Sequence, residues 1–362
     1  MSNDKSSSRA LYPELLRVFA CLAVILIHTQ NRGASRVLVF DRGTADYWLS
    51  LFFTVYIRFA IPVFLAISGA FLLGRKDEPV RKQVTRIART AAVLLIFSLL
   101  YYVIGVISSG EKFRPLDFLK QVYSTNINFV LWYLYTYLAF LVSLPLLRPL
   151  AQNLSNRGFL YMFGLYLLMG SLLPCMEVLL LNNQVHYHPR LSLAWLSENL
   201  VIYPMFGYYF HNRLDPDRDI KDWWWIWPAA AVSMVITAVT LDRLGVLSGE
   251  GLTMRILRAY VERFDLLHAS SVFLLARCVC TRLKIPGRAA KFITSVGSCV
   301  FGIYLIHVLF MGEKSLFPKL WNFLRTYMGG LTSTVLASIC VMMVSYVIVW
   351  VLKKIPGIRK LL

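Results

Sequence analysis

The sequence predicts an all-α membrane protein, built as a bundle of about ten transmembrane helices with both termini in the cytoplasm. Hydrophobic residues make up 57% of the 362 residues, and charged residues only 16%. The mean hydropathy is +0.59, and apolar stretches long enough to cross a bilayer recur along the whole chain. A soluble protein of this length does not need so apolar a composition. The chain is therefore expected to be polytopic.

The apolar stretches define the elements in order. They lie near residues 13–30, 50–73, 87–108, 129–150, 159–181, 194–211, 224–243, 262–280, 292–311 and 331–352. Window hydropathy locates a helix better than it locates the ends of that helix. The eighth stretch carries Asp265, His268 and Arg277, so its start is expected to shift toward Leu252.

The distribution of basic residues gives the orientation. The net charge is +19, and lysines and arginines concentrate before the first span and in alternate connections, including Arg86, Arg89 and Arg148. The positive-inside rule places these segments, and both termini, in the cytoplasm. Residues 1–10 are polar and serine-rich and are expected to form a disordered tail, followed by one membrane domain over 11–355 and a short tail over 356–362. The six cysteines show no disulfide framework and no zinc spacing.

The first span carries two residues that lipid does not accept readily. Arg17 and His28 lie eleven positions apart in an otherwise apolar stretch, which on a helix separates them by roughly 16 Å, about half a bilayer core. An arginine at such depth normally faces a protein interior or a water-filled cavity. We expect a cavity inside the membrane, with Arg17 toward the cytoplasm and His28 toward the other face.

Three later spans place polar or aromatic groups at comparable positions. The second contains Arg58, then Pro62 and Ser68-Gly69, which suit a kinked helix along a cavity wall. The fourth begins with Leu131-Trp132-Tyr133-Leu134, and the ninth runs from Ser295 through Tyr304 to His307. Glu177, Glu198, Asp265 and His268 fall near outer helix ends, where most are expected to be solvated.

Together these pieces resemble the acyltransferase 3 family of integral membrane proteins, in the stand-alone form typical of surface polysaccharide O-acyltransferases. The family's Arg and His of the first helix match Arg17 and His28, and its P-x-F-x-x-x-S-G segment matches Pro62 to Gly69. Its tryptophan-containing helix matches Leu131 to Leu134, and its G-x-x-S-x-x-x-Y-x-x-H segment is similar to Ser295–His307. The closing Lys354-Ile355-Pro356-Gly357 is also similar, whereas the basic stretch from Arg86 to Arg89 lacks the proline that often follows it in relatives.

The resemblance implies transfer of an acyl group from cytoplasmic acyl-CoA to a hydroxyl of a cell-surface carbohydrate or its lipid-linked precursor. The enzyme would reside in the bacterial cytoplasmic membrane, with acetyl-CoA as the first expectation for a donor that is a substrate rather than a bound cofactor. Succinyl is the other family-typical acyl group. Glycan-assembly proteins or a second copy of the chain are possible partners, and neither a metal nor nucleic acid is expected.

Acyl transfer to an alcohol needs a general base, positive charge for the oxyanion, and exclusion of water. His28 is the candidate base, because imidazole accepts a proton near neutrality. Arg17, Arg86 and Arg89 are candidate donor-binding residues, since guanidinium binds phosphate in bidentate fashion. The remaining candidates line the cavity or bind the acceptor: Arg58, Ser68, Trp132, Tyr133, Tyr304 and His307.

Other interpretations stay open at this point. His28 and His307 suit structural hydrogen bonds as well, Arg17 can extend to the inner headgroups, and Trp132 fits an interfacial aromatic belt. A secondary transporter or carbohydrate exporter also explains ionisable residues inside a ten-helix bundle. A sensor or assembly component built on an acyltransferase-like scaffold is a third class.

Overall fold

The computed structural model describes residues 3–75, 78–188, 191, 200–214, 219–283 and 285–361, without the side chains of 3–10, 219 and 220. In this part the chain is helical and forms no strand. The helices, in order, are α1 (Asn3–Ile27), α2 (Ala45–Tyr56), α3 (Ala60–Leu72), α4 (Val80–Ser109), α5 (Pro115–Ser124), α6 (Trp132–Asn153), α7 (Asn156–Leu165), α8 (Leu173–Leu181), α9 (Ile202–Asn212), α10 (Asp219–Trp223), α11 (Ile226–Leu247), α12 (Met254–Tyr260), α13 (Asp265–Arg282), α14 (Gly287–Ile306), α15 (Leu316–Arg325), α16 (Gly330–Leu352) and α17 (Pro356–Arg359).

The long apolar helices confirm a polytopic membrane bundle. Among the described residues, seven helical stretches are long and apolar enough to cross a bilayer, or eight if the bent pair α12 and α13 counts as one span. The predicted first span corresponds to the second part of α1, whose backbone is helical from Asn3, so the helix also covers residues expected to form a disordered tail. The predicted sixth span begins outside the described residues, as does Glu198, and ends in α9.

Two spans are broken rather than continuous. The helices α12 and α13 meet at 64°, so the eighth span does extend back toward Leu252, but as a separate short helix. The second span is interrupted by a 3₁₀ turn at Ile57–Phe59 between α2 and α3. Pro62 has no N–H for the carbonyl of Arg58, which explains why regular helix fails at this turn. Arg58 therefore lies at a break in the helix.

Helix α1 lies at the centre of the bundle. It packs against α3, α13, α14 and α16, while α4 packs against α6. Arg17 lies near the middle of α1 and His28 directly follows its last residue, so we call the region of the site around Arg17 the arginine end and the region around His28 the histidine end. The arginine end also holds the C-terminal segment, because Arg89 donates to the carbonyl of Leu361 at 3.3 Å.

Two glycines bring α3 and α9 into backbone contact. A Cβ atom on Gly207 would lie 2.6 Å from the Cα of Ala66, and one on Gly69 would meet the backbone of Pro204. Small residues of this kind let membrane helices approach closely and gain packing contacts. Helix α3 is therefore fixed against α9.

Candidate functional site

A cavity of about 480 Å³ lies at the arginine end, enclosed by α1, α3, α4, α6 and α14. Four arginines line it, Arg17, Arg75, Arg86 and Arg89, and the described lining residues include no acidic side chain. The other lining residues are Phe64, Ile67, Ser68, Phe71, Leu72, Thr90, Val93, Tyr133, Tyr137, Leu141, Gly297, Ser298, Val300, Phe301 and Tyr304. The cavity has the size of a small-molecule site, and its charge suits a polyanion.

Arg17 faces this cavity, and about one-third of its side chain is exposed. It forms an ion pair with Glu14, which lies three residues earlier on the same helix face. The second carboxylate oxygen of Glu14 is buried without a hydrogen-bond partner. Gly297 of α14 makes room for this pair, because a Cβ there would lie 3.0 Å from the Cβ of Glu14. The sequence analysis missed Glu14, although its three-residue spacing from Arg17 was a usable signal.

Glu78 organises the arginines at the mouth of the cavity. Its side chain is only 4% exposed and pairs with three guanidinium groups, those of Arg75, Arg86 and Arg148. One carboxylate oxygen lies 2.7 Å from Arg86 Nη1. Hydrogen bonds from Arg86, and then from Arg148, lower the pKa of Glu78 to about 2. One carboxylate shared by three arginines leaves an excess of positive charge at the cavity.

Arg148 also ties the loop before α4 to α6. Its Nε donates to the carbonyl of Leu72 at 3.0 Å, and the neighbouring Gln152 donates to the carbonyl of Leu73 at 2.9 Å. The sequence analysis read Arg148 only as a topology signal and did not mention Glu78. The one available sign was the acidic pair Asp77-Glu78 within a strongly basic connection.

An aromatic layer closes the cavity on the side of the histidine end. The ring of Tyr133 lies 6.0 Å from that of Phe64 and 5.6 Å from that of Tyr304, measured between centroids. Tyr133 and Tyr304 are buried, and the hydroxyl of Tyr304 donates to the carbonyl of Val130. Ser68 lines the cavity below this layer and donates to the carbonyl of Phe64 at 2.9 Å. The expected passage from Arg17 toward His28 thus stops, in this structure, one aromatic ring short of the histidines.

His28 lies beyond this layer and is joined directly to His307. The Nδ1 atom of His28 is 2.8 Å from Nε2 of His307, although the two residues are 279 positions apart in the chain. The His28 ring also packs edge-on against Phe129, with centroids 4.9 Å apart. His307 is fully buried, and its ring lies 6.0 Å from that of Tyr304. The sequence analysis placed His307 in the acceptor site, whereas the structure brings it to the candidate base.

Arg58 lies on the histidine side of the site, near enough to His28 for their charges to interact. Its carboxylate partner is Glu262, 3.6 Å from Nη1. Its Nε atom is buried and has no hydrogen-bond partner. Trp132 contacts Tyr133, with ring centroids 6.4 Å apart, but is not among the residues that line the cavity.

Asp265 and His268, expected to be solvated near the outer helix ends, are instead buried, and Glu177 is half-buried. Asp265 is 2% exposed and accepts from Tyr203 at 2.7 Å, and His268 is fully buried beside Ser233. Glu177 accepts from the backbone of Tyr187 at 2.7 Å. The expectation failed because side chains from distant helices supply their hydrogen bonds, as buried polar groups require. Among the described residues, no group of three or more His, Cys, Asp or Glu side chains is arranged to hold a metal ion.

Comparison with protein-family models gives one match that spans nearly the whole chain. A model described as an acyltransferase domain, of the acyltransferase 3 type, matches residues 11–354. This range includes α1 to α16 from Leu11 onward and therefore every candidate site residue. Neither the comparison with curated proteins nor that with solved structures finds a match.

Proposed function

Because the chain belongs to the acyltransferase 3 family, we propose that it is a multi-pass membrane O-acyltransferase that moves an acetyl group from cytoplasmic acetyl-CoA to a carbohydrate hydroxyl. The acceptor is a cell-surface glycan or its lipid-linked precursor, and the membrane is the bacterial cytoplasmic membrane. One observation carries the proposal: an arginine-lined cavity at Arg17 and a hydrogen-bonded histidine pair at His28 are joined by the same helix, α1.

The cavity is suited to the charged part of the donor. Coenzyme A carries several phosphate oxygens, and Arg17, Arg86 and Arg89 present guanidinium groups that bind such oxygens in bidentate geometry. The apolar wall of Phe64, Ile67 and Val93 suits the uncharged pantetheine arm. Since Arg17 and His28 are separated by roughly 16 Å along α1, the arm has to run along this helix to bring its thioester to the histidines.

His28 then acts as general base. Its imidazole takes the proton of the acceptor hydroxyl as the hydroxyl oxygen attacks the acyl carbon. The carbon–sulfur bond breaks, the ester forms, and the proton passes to the sulfur of the leaving coenzyme A. Arg58, whose buried Nε lacks a partner, is placed to stabilise negative charge on the acyl oxygen during this step.

The aromatic layer of Phe64, Tyr133 and Tyr304 separates the cavity from the histidines and keeps cytoplasmic water from the thioester. The layer has to part when the arm threads through it. Tyr133, predicted from sequence as an acceptor contact, thereby becomes a contact of the donor arm.

The test uses the full-length protein reconstituted into lipid vesicles, with acetyl-CoA labelled on the acetyl group and a lipid-linked oligosaccharide as the probe acceptor. We expect label to become covalently attached to the oligosaccharide, and His28→Ala to abolish this transfer while the protein remains folded. His186→Ala, at an exposed histidine, serves as the matched control. Uptake of oligosaccharide without covalent label would identify an exporter and overturn the proposal.

A further inference from the structure

The hydrogen bonds of His307 determine which of its ring nitrogens carries a proton. His307 is fully buried, and its Nδ1 lies 2.7 Å from the carbonyl oxygen of Tyr304. A carbonyl oxygen only accepts hydrogen bonds, so Nδ1 of His307 must be the donor. In neutral imidazole only one nitrogen is protonated, and Nε2 of His307 is therefore an acceptor.

This assignment fixes the tautomer of His28 in turn. The partner of His307 Nε2 is Nδ1 of His28, at 2.8 Å, and two lone pairs do not face each other at hydrogen-bond distance. Nδ1 of His28 must therefore carry the proton and donate it to His307. The lone pair of neutral His28 is left on Nε2, the nitrogen on the far side of the ring.

A protonated His307 is the alternative, and its surroundings oppose it. Among the described residues, the charged side chain that acts on His28, besides the His307 ring, is that of Arg58, which is a cation. No described carboxylate forms an ion pair with His307. An unpaired positive charge at a fully buried position carries a large desolvation cost.

The relative orientation of the rings fits this bond. Their planes are inclined by 10° and their centroids are 5.1 Å apart, which places the two nitrogens edge to edge in nearly one plane. Phe129 packs against the remaining side of the His28 ring at 4.9 Å. The ring is thus held in one orientation as well as in one tautomer.

The end of α14 that carries His307 is itself anchored. Tyr101 of α4 donates to the carbonyl of Leu305 at 2.6 Å, and Tyr304 donates to the carbonyl of Val130. Because His307 binds the carbonyl three residues before it, these anchors hold the acceptor nitrogen of His307 in place. The chain of contacts runs from two tyrosines through His307 to His28.

We infer that His307 is a positioning residue that holds His28 in the Nδ1-protonated tautomer, so that Nε2 of His28 is the nitrogen that receives the proton of the acceptor. The inference rests on the proposed function for the reaction that it serves, but the tautomer itself is a property of the resting protein. It places the acceptor hydroxyl on the Nε2 side of His28, away from His307.

The first experiment measures the tautomer directly. In wild-type protein labelled with ¹⁵N-histidine and held at pH 8, where both histidines are neutral, we expect the His28 signals, assigned by their loss in His28→Ala, to show a protonated Nδ1 and an unprotonated Nε2. The opposite pattern would overturn the inference. This result does not depend on activity, so it stands apart from any failure of the proposed function.

The second experiment measures transfer rates. His307→Leu removes the acceptor, whereas His307→Gln retains an amide oxygen that can accept from His28 Nδ1. We expect kcat to fall about 10- to 100-fold in His307→Leu with an unchanged KM for acetyl-CoA, and to recover in part in His307→Gln. The matched control is His268→Leu at another fully buried histidine, which should lose stability without this kcat effect.

Two outcomes of these rate measurements would reject the positioning role. One is a wild-type kcat in folded His307→Leu, and the other is an equal loss of kcat in the Leu and Gln variants. If His307→Leu does not fold, the comparison of His307→Gln with wild type, together with the tautomer measurement, decides the matter. We expect Nδ1 of His28 to remain protonated in the Gln variant. An unprotonated Nδ1 in this variant would count against the inference.

Discussion

The arginine end and the histidine end of the site differ in how they hold charge. At the arginine end, Arg17, Arg75, Arg86 and Arg89 line one open cavity, with Glu14 and Glu78 set behind them. At the histidine end, two imidazoles bond to each other, and one of them, His307, is fully buried. The first arrangement leaves positive charge available to a ligand in a partly solvated cavity, and the second holds the His28 ring in one orientation.

In the proposed function, this difference separates donor binding from chemistry along a single helix. Solvated cations attract a polyanion from a distance and hold it without strong geometric demands. A general base needs one orientation, one tautomer and exclusion of water. Variants at the two ends should therefore affect different kinetic constants. Variants that change the same constant would contradict this division of roles.

The largest effect is expected at the histidine end. His28→Asn keeps a polar side chain of similar shape but removes the base, so kcat should fall by about 10²- to 10⁴-fold. KM for acetyl-CoA should stay within a factor of two of wild type, because His28 does not line the cavity. Steady-state kinetics of label transfer measures both constants. A large rise in KM with unchanged kcat would place His28 in donor binding instead.

Arg17→Ala should produce the complementary result. Loss of one charge-assisted hydrogen bond to phosphate corresponds to about 1.5–3 kcal/mol, or roughly a 10- to 100-fold rise in KM for acetyl-CoA, with little change in kcat. The variant also leaves Glu14 without its partner. The double variant Glu14→Gln with Arg17→Ala is the control for that carboxylate. Unchanged donor affinity in the single and the double variant would show that Arg17 does not bind the donor.

Ionic strength should also affect KM and kcat differently, by a smaller amount. Because the screening length falls from about 10 Å at 0.1 M salt to about 3 Å at 1 M, salt weakens attraction to solvated cations but not a buried hydrogen bond. Over this range we expect KM for acetyl-CoA to rise several-fold and kcat to stay nearly constant. Acetyl-pantetheine, which lacks the phosphates, serves as the matched donor. Equal salt dependence for both donors would contradict the assignment of the cavity.

The smallest effect concerns the stability of the arginine end. The pKa of Glu78 is lowered to about 2, because Arg86 and Arg148 favour its charged form. A lowered pKa stabilises the folded state above the ordinary value near 4.5, and this contribution disappears as the pH falls through about 2. The free energy of unfolding of Glu78→Gln should therefore be lower than that of wild type at pH 7 by about 1–3 kcal/mol. A thermal unfolding curve would show this as a lower midpoint temperature. The difference should persist at pH 5, and its loss between pH 7 and pH 5 would contradict the lowered pKa.

Much of the fold followed from the sequence because hydropathy and helix breakers act locally. The long apolar stretches became helices, the early start of the eighth span became α12, and Pro62 marked the interruption at Arg58. The separation of Arg17 from His28 also follows from helix geometry alone. These features depend on residues within a few turns of one another.

The contacts that assemble the site could not be predicted in this way. The His28–His307 bond joins residues 279 positions apart, and Glu78 is bound by Arg148, 70 positions later in the chain. Hydropathy shows that a helix is apolar but not which face meets which neighbour, since lipid and protein interior look alike to an apolar side chain. The polar residues of each helix were visible in the sequence, while their partners were not.

The crossing of α3 and α9 has a mechanical consequence for ligand entry. Because Gly69 and Gly207 bring α3 and α9 into backbone contact, the cavity wall that carries Phe64 and Ser68 is held rigidly. Helix α4, on the other side of the cavity, packs on α6 and is tied to α14 by the bond from Tyr101 to the carbonyl of Leu305. Arg86 and Arg89 belong to α4, so a molecule that engages these two cations binds between two walls that are already held in place.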